Sequence, residues 1–349
     1  MYMNLRAAFD TPSPAIVLAE GKFGETGGKT ANGVVVHSEV FDVGAVIDST
    51  RAGQAVSEVL GRDDVPNVPI VSSVSEALEA IPDAKALIIG VAPAGGALPA
   101  EWVDEIQAAM CAGCDIVSGL HVFLSEDPNW CSVANEHGVR LFDVRKPPED
   151  EVLQVADGRI DDVDETIVLV AGTDCAIGKR TTTFELYRAA IDAGLDAGWV
   201  ATGQTGIMIG SHRGVAIDRV PADFTAGVVE DHVCAVAEEH DVVFVEGQAC
   251  LTHRAYSGVT LSILHGSWPD VVVLADEPGR DVRTLFEQFT VDGVETEIEH
   301  IERLSEASVV ALSTWGEPNE EAQKYELPAA NVYHEGGPEL LLEYVMEAV

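Results

Sequence analysis

The sequence predicts an α/β protein of two domains, each built on a parallel sheet. Three observations lead to this fold class. The chain has 349 residues, which is longer than one ordinary domain. Short β-branched apolar runs alternate with helical patterns through both halves of the chain. An acidic segment with little apolar periodicity, PPEDEVLQVADGRIDDVDE, separates the halves. We therefore expect domains over 1–150 and 166–349, joined by a linker over 151–165.

The N-terminal half is predicted to form a doubly wound, Rossmann-like sheet. Its strands are expected at AIVLAE, VGAVID, KALIIGVA, CDIVSG and VRLFDV. Helical spacing of apolar residues marks VSEALEAI and AEWVDEIQAAMCAG. The second of these contains the pair Cys111 and Cys114, but no second pair is spaced to complete a zinc site. We expect both cysteines to be buried as small apolar residues of a helix.

The C-terminal half repeats the alternation and predicts a second parallel layer. Its strands are expected at TIVLVAG, DAGWVATG, DVVFVEG, DVVVLAD and SVVALST. Helices are expected between them, for example at KRTTTFELYRAAIDAG and DHVCAVAEEH. The architecture is therefore again α/β.

Two runs in the chain contain Gly-Lys followed by threonine, either directly or after one arginine, a pattern similar to that of phosphate-binding loops. In GTDCAIGKRTTT, residues 172–183, a buried strand precedes the loop and an amphipathic helix closed by Gly194 follows it. That order brings backbone N–H groups and a helix N-terminus onto one anion. The run GKFGETGGKT, residues 21–30, lacks a glycine five residues ahead of Gly28 and is followed by ANGVVVHS, a poor helix. We therefore expect a P-loop NTPase-like domain whose loop is the run at 172.

The loop at 172 is expected to hold the phosphate groups of a cofactor. Its glycines allow close backbone approach, and the Lys179 ammonium is expected to reach phosphate oxygens. The predicted cofactor-binding residues are Gly172, Thr173, Asp174, Cys175, Ala176, Ile177, Gly178, Lys179, Arg180 and Thr181.

The charge of the chain excludes several classes of partner. Fifty-nine Asp and Glu against 20 Lys and Arg give a net charge of −39, so we expect neither nucleic acid nor an anionic membrane as partner. The acidic runs lie between apolar segments, which indicates a folded surface adapted to a salt-rich cytoplasm. With no apolar run of 18 residues and no signal-peptide pattern, we expect a cytoplasmic protein. Six cysteines in so long a chain do not form a disulfide framework.

Polar residues after the later strands are candidates for chemistry. Glu246 ends the strand DVVFV, where it is suited to accept a proton from a substrate ammonium or to hold magnesium in an ATP enzyme. Gln204 and Thr205 follow another strand and are suited to bind an amide or a carboxylate. The loop QACLTHRAYSGVTLSILHGS is long, polar and rich in reactive types. Its candidates are Gln248, His253, Arg254, Tyr256, Ser257 and His265, of which His265 is expected in a turn at the sheet edge.

Three successive strands of the N-terminal half also end in polar or glycine-rich segments. These are GVAPAGG, SGLH with His121, and DVRK with Arg145 and Lys146. Basic residues are scarce in this chain, so this group is suited either to meet a substrate carboxylate or to pair with the acidic surface.

The loop GTDCAIGK resembles the GTDxxxGK loop of dethiobiotin synthetase, and VEG at 245–247 is similar to the acidic strand end of that enzyme. In dethiobiotin synthetase a threonine that helps to hold magnesium follows the lysine directly. Here Arg180 takes that place, and the hydroxyl of Thr181 would point about 100° further around the helix. A guanidinium suits a phosphate-rich ligand held without metal, so we expect no metal ion.

A longer resemblance covers nearly the whole chain. The segments IIGVAPAGG, SGLHVFL, DVRKPP, GTDCAIGKRTTT, ATGQTGIMI and VEGQACLTHRAYSGVTLSILHGSWPD are similar to those of a family first described only as of unknown function, which includes the DgcN-type D-glutamate N-acetyltransferases. The resemblance implies a Rossmann-like domain followed by a P-loop domain. It also implies acetyl transfer from acetyl-CoA to the amine of D-glutamate.

The leading hypothesis is an N-acetyltransferase whose P-loop holds the phosphates of acetyl-CoA and whose interdomain cleft presents an acidic amino acid. Backbone N–H groups or Gln248 would stabilise the oxyanion, and Glu246 or His265 would be the base. The alternatives are an ATP- and magnesium-dependent carboxylate-activating ligase like dethiobiotin synthetase, and a non-catalytic nucleotide-binding sensor. The high apolar fraction also predicts a homo-oligomer of small subunit number.

Overall fold

The computed structural model describes residues 3–62, 65–93 and 98–349, which form two compact units. The N-terminal unit comprises Met3–Lys146 together with Ile207–Gly210, and the C-terminal unit comprises Pro147–Gly206 and Ser211–Val349. Within these ranges, no helix combines the length and the apolar character needed to cross a membrane.

The N-terminal unit is built on a parallel sheet of six strands. The strands are β1 (Ser13–Leu18), β2 (Phe41–Ile47), β3 (Ile70–Val71), β4 (Ala86–Ile89), β5 (Asp115–Ser118) and β6 (Leu141–Asp143). Their order across the sheet is β3-β2-β1-β4-β5-β6, the order of dinucleotide-binding Rossmann folds. The predicted Rossmann-like fold is therefore confirmed. Strand β3 was not predicted, because two residues carry no readable period.

One helix of the N-terminal unit forms where the sequence predicts a poor helix. The helices of this unit are α1 (Leu5–Ala8), α2 (Lys29–His37), α3 (Val56–Leu60), α4 (Val74–Ala80), α5 (Ala100–Cys111) and α6 (Pro128–His137). Helix α2 contains most of the segment expected to be a poor helix, so that expectation is wrong. A Cβ atom on Gly90 would lie 2.7 Å from the Cβ of Ala31, so these two small residues let α2 pack on the end of β4. Packing thus outweighs the weak helix propensity of the valines in α2.

The two cysteines of the N-terminal CxxC pair differ in environment. Cys114 is buried and lies after the end of α5, and burial raises the pKa of its thiol to about 11. Cys111 is exposed at the last position of α5, with its Sγ 3.4 Å from Nε2 of His137. The expectation that both are buried in a helix is therefore wrong in part for each: Cys111 is helical but exposed, and Cys114 is buried but lies outside the helix.

The C-terminal unit is built on a seven-stranded parallel sheet. Its strands are β7 (Thr166–Gly172), β8 (Ala197–Ala201), β9 (Arg213–Gly214), β10 (Val242–Glu246), β11 (Val271–Asp276), β14 (Ser308–Thr314) and β15 (Ala329–Ala330). The order is β15-β14-β11-β7-β10-β8-β9. Between β11 and β14 the chain forms a small antiparallel hairpin, β12 (Val282–Arg283) with β13 (Phe286–Thr290).

The helices of this unit cover the sheet and fix the position of the loop at 172. They are α7 (Lys179–Asp192), α9 (Thr225–Ala237), α10 (Ser257–Ser267), α11 (Val294–Leu304), α12 (Pro318–Tyr325) and α13 (Gly337–Met346). Helix α8 (Gln204–Ile209) begins in this unit, and its last three residues belong to the segment Ile207–Gly210 of the N-terminal unit. Strands β8, β10 and β11 are buried along their whole length, as strands covered on both faces are. Phe184 and Tyr187 of α7 pack on Trp199 of β8, with ring centroids 5.6 and 6.3 Å away. This contact holds α7, and with it the loop that precedes α7, against the sheet.

Residues 151–165, the predicted linker, pack against α9 within the C-terminal unit. The buried carboxylate of Glu230 accepts hydrogen bonds from the backbone N–H groups of Asp157 and Gly158, at 3.0 and 2.9 Å. A Cβ atom on Gly227 would lie 2.0 Å from the carbonyl oxygen of Gln154. An acidic segment is therefore held by a buried acid, because that acid bonds to backbone rather than to side-chain carboxylates.

Candidate functional site

The loop at 172–178 joins a central buried strand to the start of a helix. It leaves β7 at Gly172 and enters α7 at Lys179, so the predicted strand, loop and helix are confirmed. Gly178 has φ +94°, a conformation that favours glycine. At Gly172, a Cβ atom would meet Ile177 Cδ1 at 2.8 Å and the carbonyl oxygen of Ala275 at 3.1 Å. Both glycines are therefore required by the shape of the loop.

The buried Lys179 side chain bonds back to the start of the loop. It is only 7% exposed, and its ammonium donates a hydrogen bond to the carbonyl oxygen of Asp174. Burial lowers the pKa of Lys179, while nearby groups that include Glu246 act to raise it. A buried cation with a backbone oxygen as partner is suited to exchange that partner for a phosphate oxygen.

A second cation, Arg180, lies next to Lys179 and near an acid. Burial lowers the pKa of the half-buried Arg180 guanidinium, and the Glu246 carboxylate and Tyr333 act to raise it. Glu246 ends β10, which neighbours β7, and is only 5% exposed. Its Oε2 accepts a hydrogen bond of 3.2 Å from the backbone N–H of Thr202. Glu246 therefore lies within electrostatic reach of both cations of the loop.

Gln248, predicted to be catalytic, and Gln204 and Thr205, predicted to bind substrate, follow the neighbouring strands β10 and β8. The Thr202 hydroxyl donates to the carbonyl oxygen of Glu246 at 2.7 Å and accepts from Nε2 of Gln248 at 3.1 Å, so the Gln248 amide is held beside the strand end. Gln204 is half-buried and Thr205 is buried, both in the first turn of α8. The structure thus brings these predicted residues together at one strand edge.

Asp174, predicted to contact the cofactor, points its side chain into the protein. It is fully buried, and its Oδ2 accepts hydrogen bonds from the Thr284 backbone N–H at 2.9 Å and from Arg280 at 3.1 Å. Burial acts to raise the pKa of Asp174, but these hydrogen bonds and the Arg280 charge outweigh it and lower the pKa. The side chain therefore anchors the loop to the β12–β13 hairpin.

Arg283 is a second buried arginine that contacts the loop. It is 1% exposed and donates to the carbonyl oxygen of Thr173 at 3.0 Å and to the Cys250 sulfur at 2.7 Å. Neither Arg280 nor Arg283 was predicted to belong to the site. Their signal in the sequence is two arginines three positions apart, directly after a buried strand, in a chain with few basic residues.

His253 is buried below the loop rather than exposed to a ligand. Its Nδ1 accepts a hydrogen bond of 3.2 Å from the backbone N–H of Ala255, and its Nε2 lies 3.9 Å from Oδ1 of Asp174. Ligand atoms of Asp174, Cys175 and His253 lie within 4.8 Å of one another, a spacing found in metal sites. Two guanidinium groups already neutralise Asp174, however, and they disfavour a further cation.

The rest of the 247–257 segment is held by backbone contacts. Glu297, which is buried, accepts hydrogen bonds from the N–H groups of Leu251 and Thr252 at 3.0 and 2.9 Å. The Tyr256 ring is 42% exposed and lies against His253, and Ser257 begins α10. The Tyr256 ring is thus more accessible than the ring of His253.

His265 lies away from the loop. It was expected in a turn at the sheet edge, but it belongs to the last turn of α10, with Nε2 3.1 Å from the carbonyl oxygen of Leu304. Helix α10 leads from the carboxyl end of β10 to the amino end of β11, so its last turn lies toward the opposite edge of the sheet. The expected turn is therefore wrong, and the geometry gives His265 no contact with the loop.

The N-terminal candidates lie at the carboxyl ends of neighbouring strands. His121 is exposed after β5, and Arg145, after β6, is buried and donates to the carbonyl oxygen of Gly119 at 2.9 Å. Lys146 forms an ion pair of 3.4 Å with Glu126. The segment GVAPAGG lies partly outside the described residues.

Comparisons with known proteins agree with this architecture. A model described as a P-loop domain of unknown function, DUF1611, matches residues 154–341, and one described as its Rossmann-like N-terminal domain matches residues 49–147. The crystal structure of a DUF1611 family protein from Anabaena variabilis is similar, with a TM-score of 0.87 and 33% identity. That similarity covers 96% of this chain and 99% of the other.

Two curated proteins named D-glutamate N-acetyltransferase are also similar. The protein from Pseudoalteromonas sp. is 37% identical over 216 residues, covering 62% of this chain and 63% of its own. The protein from Tritonibacter scottomollicae is 39% identical over 197 residues, covering 56% of this chain and 57% of its own. The matched part is thus less than two thirds of the length of either relative. Because both domain models match in order and the similarity to the Anabaena structure spans nearly the whole chain, this protein belongs to the DUF1611 family.

Proposed function

We propose that the protein transfers an acetyl group from acetyl-CoA to the amine of an acidic amino acid, with D-glutamate as the expected acceptor. The observation that carries the proposal is the end of the loop, where the cations Lys179 and Arg180 follow Gly178 directly. The next two buried hydroxyls are bonded within the protein: Thr182 pairs with Ser313 at 2.7 Å, and Thr183 donates to the carbonyl oxygen of Lys179 at 2.8 Å. This arrangement favours phosphate held by cations and backbone N–H groups. The names of the curated relatives support the reaction.

The reaction requires a proton acceptor and a stabilised oxyanion. The free amine of the acceptor attacks the thioester carbonyl, the C–N bond forms, and the C–S bond breaks to release CoA as its thiol. One proton leaves the attacking nitrogen, and one proton is taken up by the departing sulfur. A carboxylate that accepts the first proton, and N–H donors that bind the intermediate oxyanion, would each lower the barrier.

Contacts at the end of β10 support these two roles for Glu246 and Gln248. Glu246 is buried at the strand edge beside the loop, and the hydrogen bond from Thr202 N–H fixes its carboxylate. The Gln248 side chain is held to the same threonine. We assign proton acceptance to Glu246 and oxyanion binding to Gln248 or to backbone N–H groups of the loop.

The first test is ligand binding and turnover by the purified full chain. Calorimetry should show that CoA binds without magnesium. In molar potassium chloride, acetyl-CoA with a panel of D- and L-amino acids should release free thiol with an acidic amino acid, D-glutamate above all, and mass spectrometry should place the acetyl group on nitrogen. Magnesium-dependent ATP hydrolysis without thiol release from any amine would replace this proposal with the carboxylate-activating ligase.

The second test assigns the base. Glu246→Gln keeps the size of the side chain and should lower kcat by roughly 10²- to 10⁴-fold while CoA affinity changes little. Asp276→Asn is the matched control, because Asp276 ends the strand on the other side of β7 and accepts a hydrogen bond of 2.6 Å from the loop hydroxyl of Thr173. This control should weaken CoA binding more than it lowers kcat. If Glu246→Gln retains kcat, another group accepts the proton.

A further inference from the structure

Two exposed aromatic side chains lie beside the end of the loop. Trp315 follows β14 and Tyr333 follows β15, the strand next to it in the sheet. They are 41% and 55% exposed, although large apolar rings are usually more covered. Their ring centroids are 6.0 Å apart with an interplanar angle of 73°. The pair therefore forms an open aromatic corner at the carboxyl edge of the sheet.

This corner is continuous with the loop. The Trp315 Nε1 atom lies 2.9 Å from the position that a Cβ atom on Gly178 would occupy, so the indole packs directly on that glycine. Tyr333 is near enough to Arg180 to act on the charge of its guanidinium. A ligand whose phosphates are bound at Lys179 and Arg180 would thus have the aromatic corner within reach of its next group.

Hydrogen bonds to the strand ends hold both aromatic residues in place. The backbone N–H of Trp315 donates to the carbonyl oxygen of Asp276 at 3.0 Å, and the backbone N–H of Gly316 donates to Thr314 Oγ1 at 3.0 Å. On the other strand, the Tyr333 N–H donates to Oδ1 of Asn331 at 3.0 Å. The backbone that carries the two rings is therefore fixed at the strand ends, which lowers the entropic cost of binding.

We propose that Trp315 and Tyr333 bind the heteroaromatic base of a nucleotide-type ligand, adenine in the case of CoA, whose phosphates the loop at 172 holds. This inference rests on the proposed function only for the identity of the ligand. A base has two apolar faces and no net charge, so it can stack on exposed rings even on a strongly acidic protein, where its phosphates need cations. Stacking of one base on an aromatic side chain changes affinity severalfold to a hundredfold.

The test compares ligands with and without a base on matched variants. The probes are CoA, ADP and pyrophosphate, measured by calorimetry in molar potassium chloride. Trp315→Ala should weaken the binding of CoA or ADP by roughly 10- to 100-fold, and Trp315→Phe should restore most of it, because a ring is enough for stacking. Pyrophosphate binding should be the same in all three proteins. Leu340→Ala, an equally open position on α13 with 38% exposure, is the control for loss of a surface apolar group.

The outcomes separate this inference from the proposed function. If wild type binds ADP but not CoA and Trp315→Ala weakens ADP, the base site is supported and acetyl-CoA is wrong. If Trp315→Ala binds CoA like wild type while Lys179→Ala does not, the base site is wrong and the acetyl-CoA proposal stands. Equal losses for CoA and pyrophosphate would also overturn the base site, because Trp315 would then only support Gly178. Failure of wild type to bind either nucleotide overturns both.

Discussion

Replacing Lys179 by methionine separates ligand binding from stability. The ammonium is buried, and its partner is the carbonyl oxygen of Asp174. Methionine has a similar reach and no charge, so Lys179→Met removes the cation without emptying its space. We expect the variant to fold as wild type does and to lose most of its affinity for phosphate-bearing ligands.

The expected magnitudes follow from the surroundings of the ammonium. A hydrogen bond to a charged group contributes about 1.5–3 kcal/mol, so the dissociation constant for CoA or pyrophosphate should rise roughly 10- to 150-fold. For the free protein, relief of a desolvated charge offsets the loss of a donor to Asp174, so the free energy of unfolding should change by less than about 2 kcal/mol.

The pH dependence provides an independent check of the same side chain. Burial lowers the pKa of Lys179 in the folded state below its ordinary value of 10.5. Between the folded and unfolded pKa values, the unfolded chain binds more protons, so the unfolding free energy of wild type rises with pH in that window. Lys179→Met lacks this rise. The difference in unfolding free energy between the two proteins should therefore change in favour of wild type as pH approaches 10.5.

The measurements are urea unfolding across pH and calorimetry with each ligand. Lys29→Met is the matched control, because Lys29 is an exposed lysine at the start of α2 in the other Gly-Lys-Thr run. It should leave both quantities unchanged. Unaltered ligand affinity in Lys179→Met, or an equal loss in Lys29→Met, would refute the reasoning.

Three further predictions concern strain, pH and salt. Gly178→Ala places a Cβ atom 2.9 Å from Trp315 Nε1 at φ +94°, so urea unfolding should show a loss of about 1–3 kcal/mol; equal stability would show that the loop relaxes. Burial lowers the pKa of His232 to about 4 from 6.5, so between these values the unfolded chain binds a proton that the folded protein does not. The free energy of unfolding should therefore fall by about 3 kcal/mol as pH falls from 6.5 to 4. His232→Gln should remove that slope relative to wild type in unfolding at each pH, and an unchanged slope would contradict the assignment. The melting temperature should rise with potassium chloride into the molar range as repulsion within a net charge of −39 is screened, and a flat or falling curve would contradict adaptation to salt.

Features set by neighbouring residues could be predicted from the sequence. The strand TIVLVAG, the loop after it and the helix from Lys179 form one continuous segment, and each part has its own local signal. The same holds for Glu246, whose position at a strand end follows from the apolar run before it. Parallel strands then bring such ends to one edge of a sheet without any further information.

Features set by distant residues could not be predicted. The inward direction of Asp174 depends on Arg280 and Thr284, more than 100 positions away along the chain. Helix α2 depends on the small residues at its contact with β4. The end of α10 is similar, because the apolar run before His265 suits a strand or a helix equally, and only packing on α9 and the sheet selects the helix.

The cations around the loop are few in a chain of opposite charge. Lys179, Arg180, Arg280 and Arg283 are four of its 20 basic residues, in a protein with net charge −39. Within a Debye length of the acidic surface, about 8–10 Å at moderate ionic strength, an anionic ligand is repelled, and only near the loop do cations attract it. Added salt therefore speeds the encounter while it weakens the bound complex. The rates of association and dissociation should therefore both increase with salt.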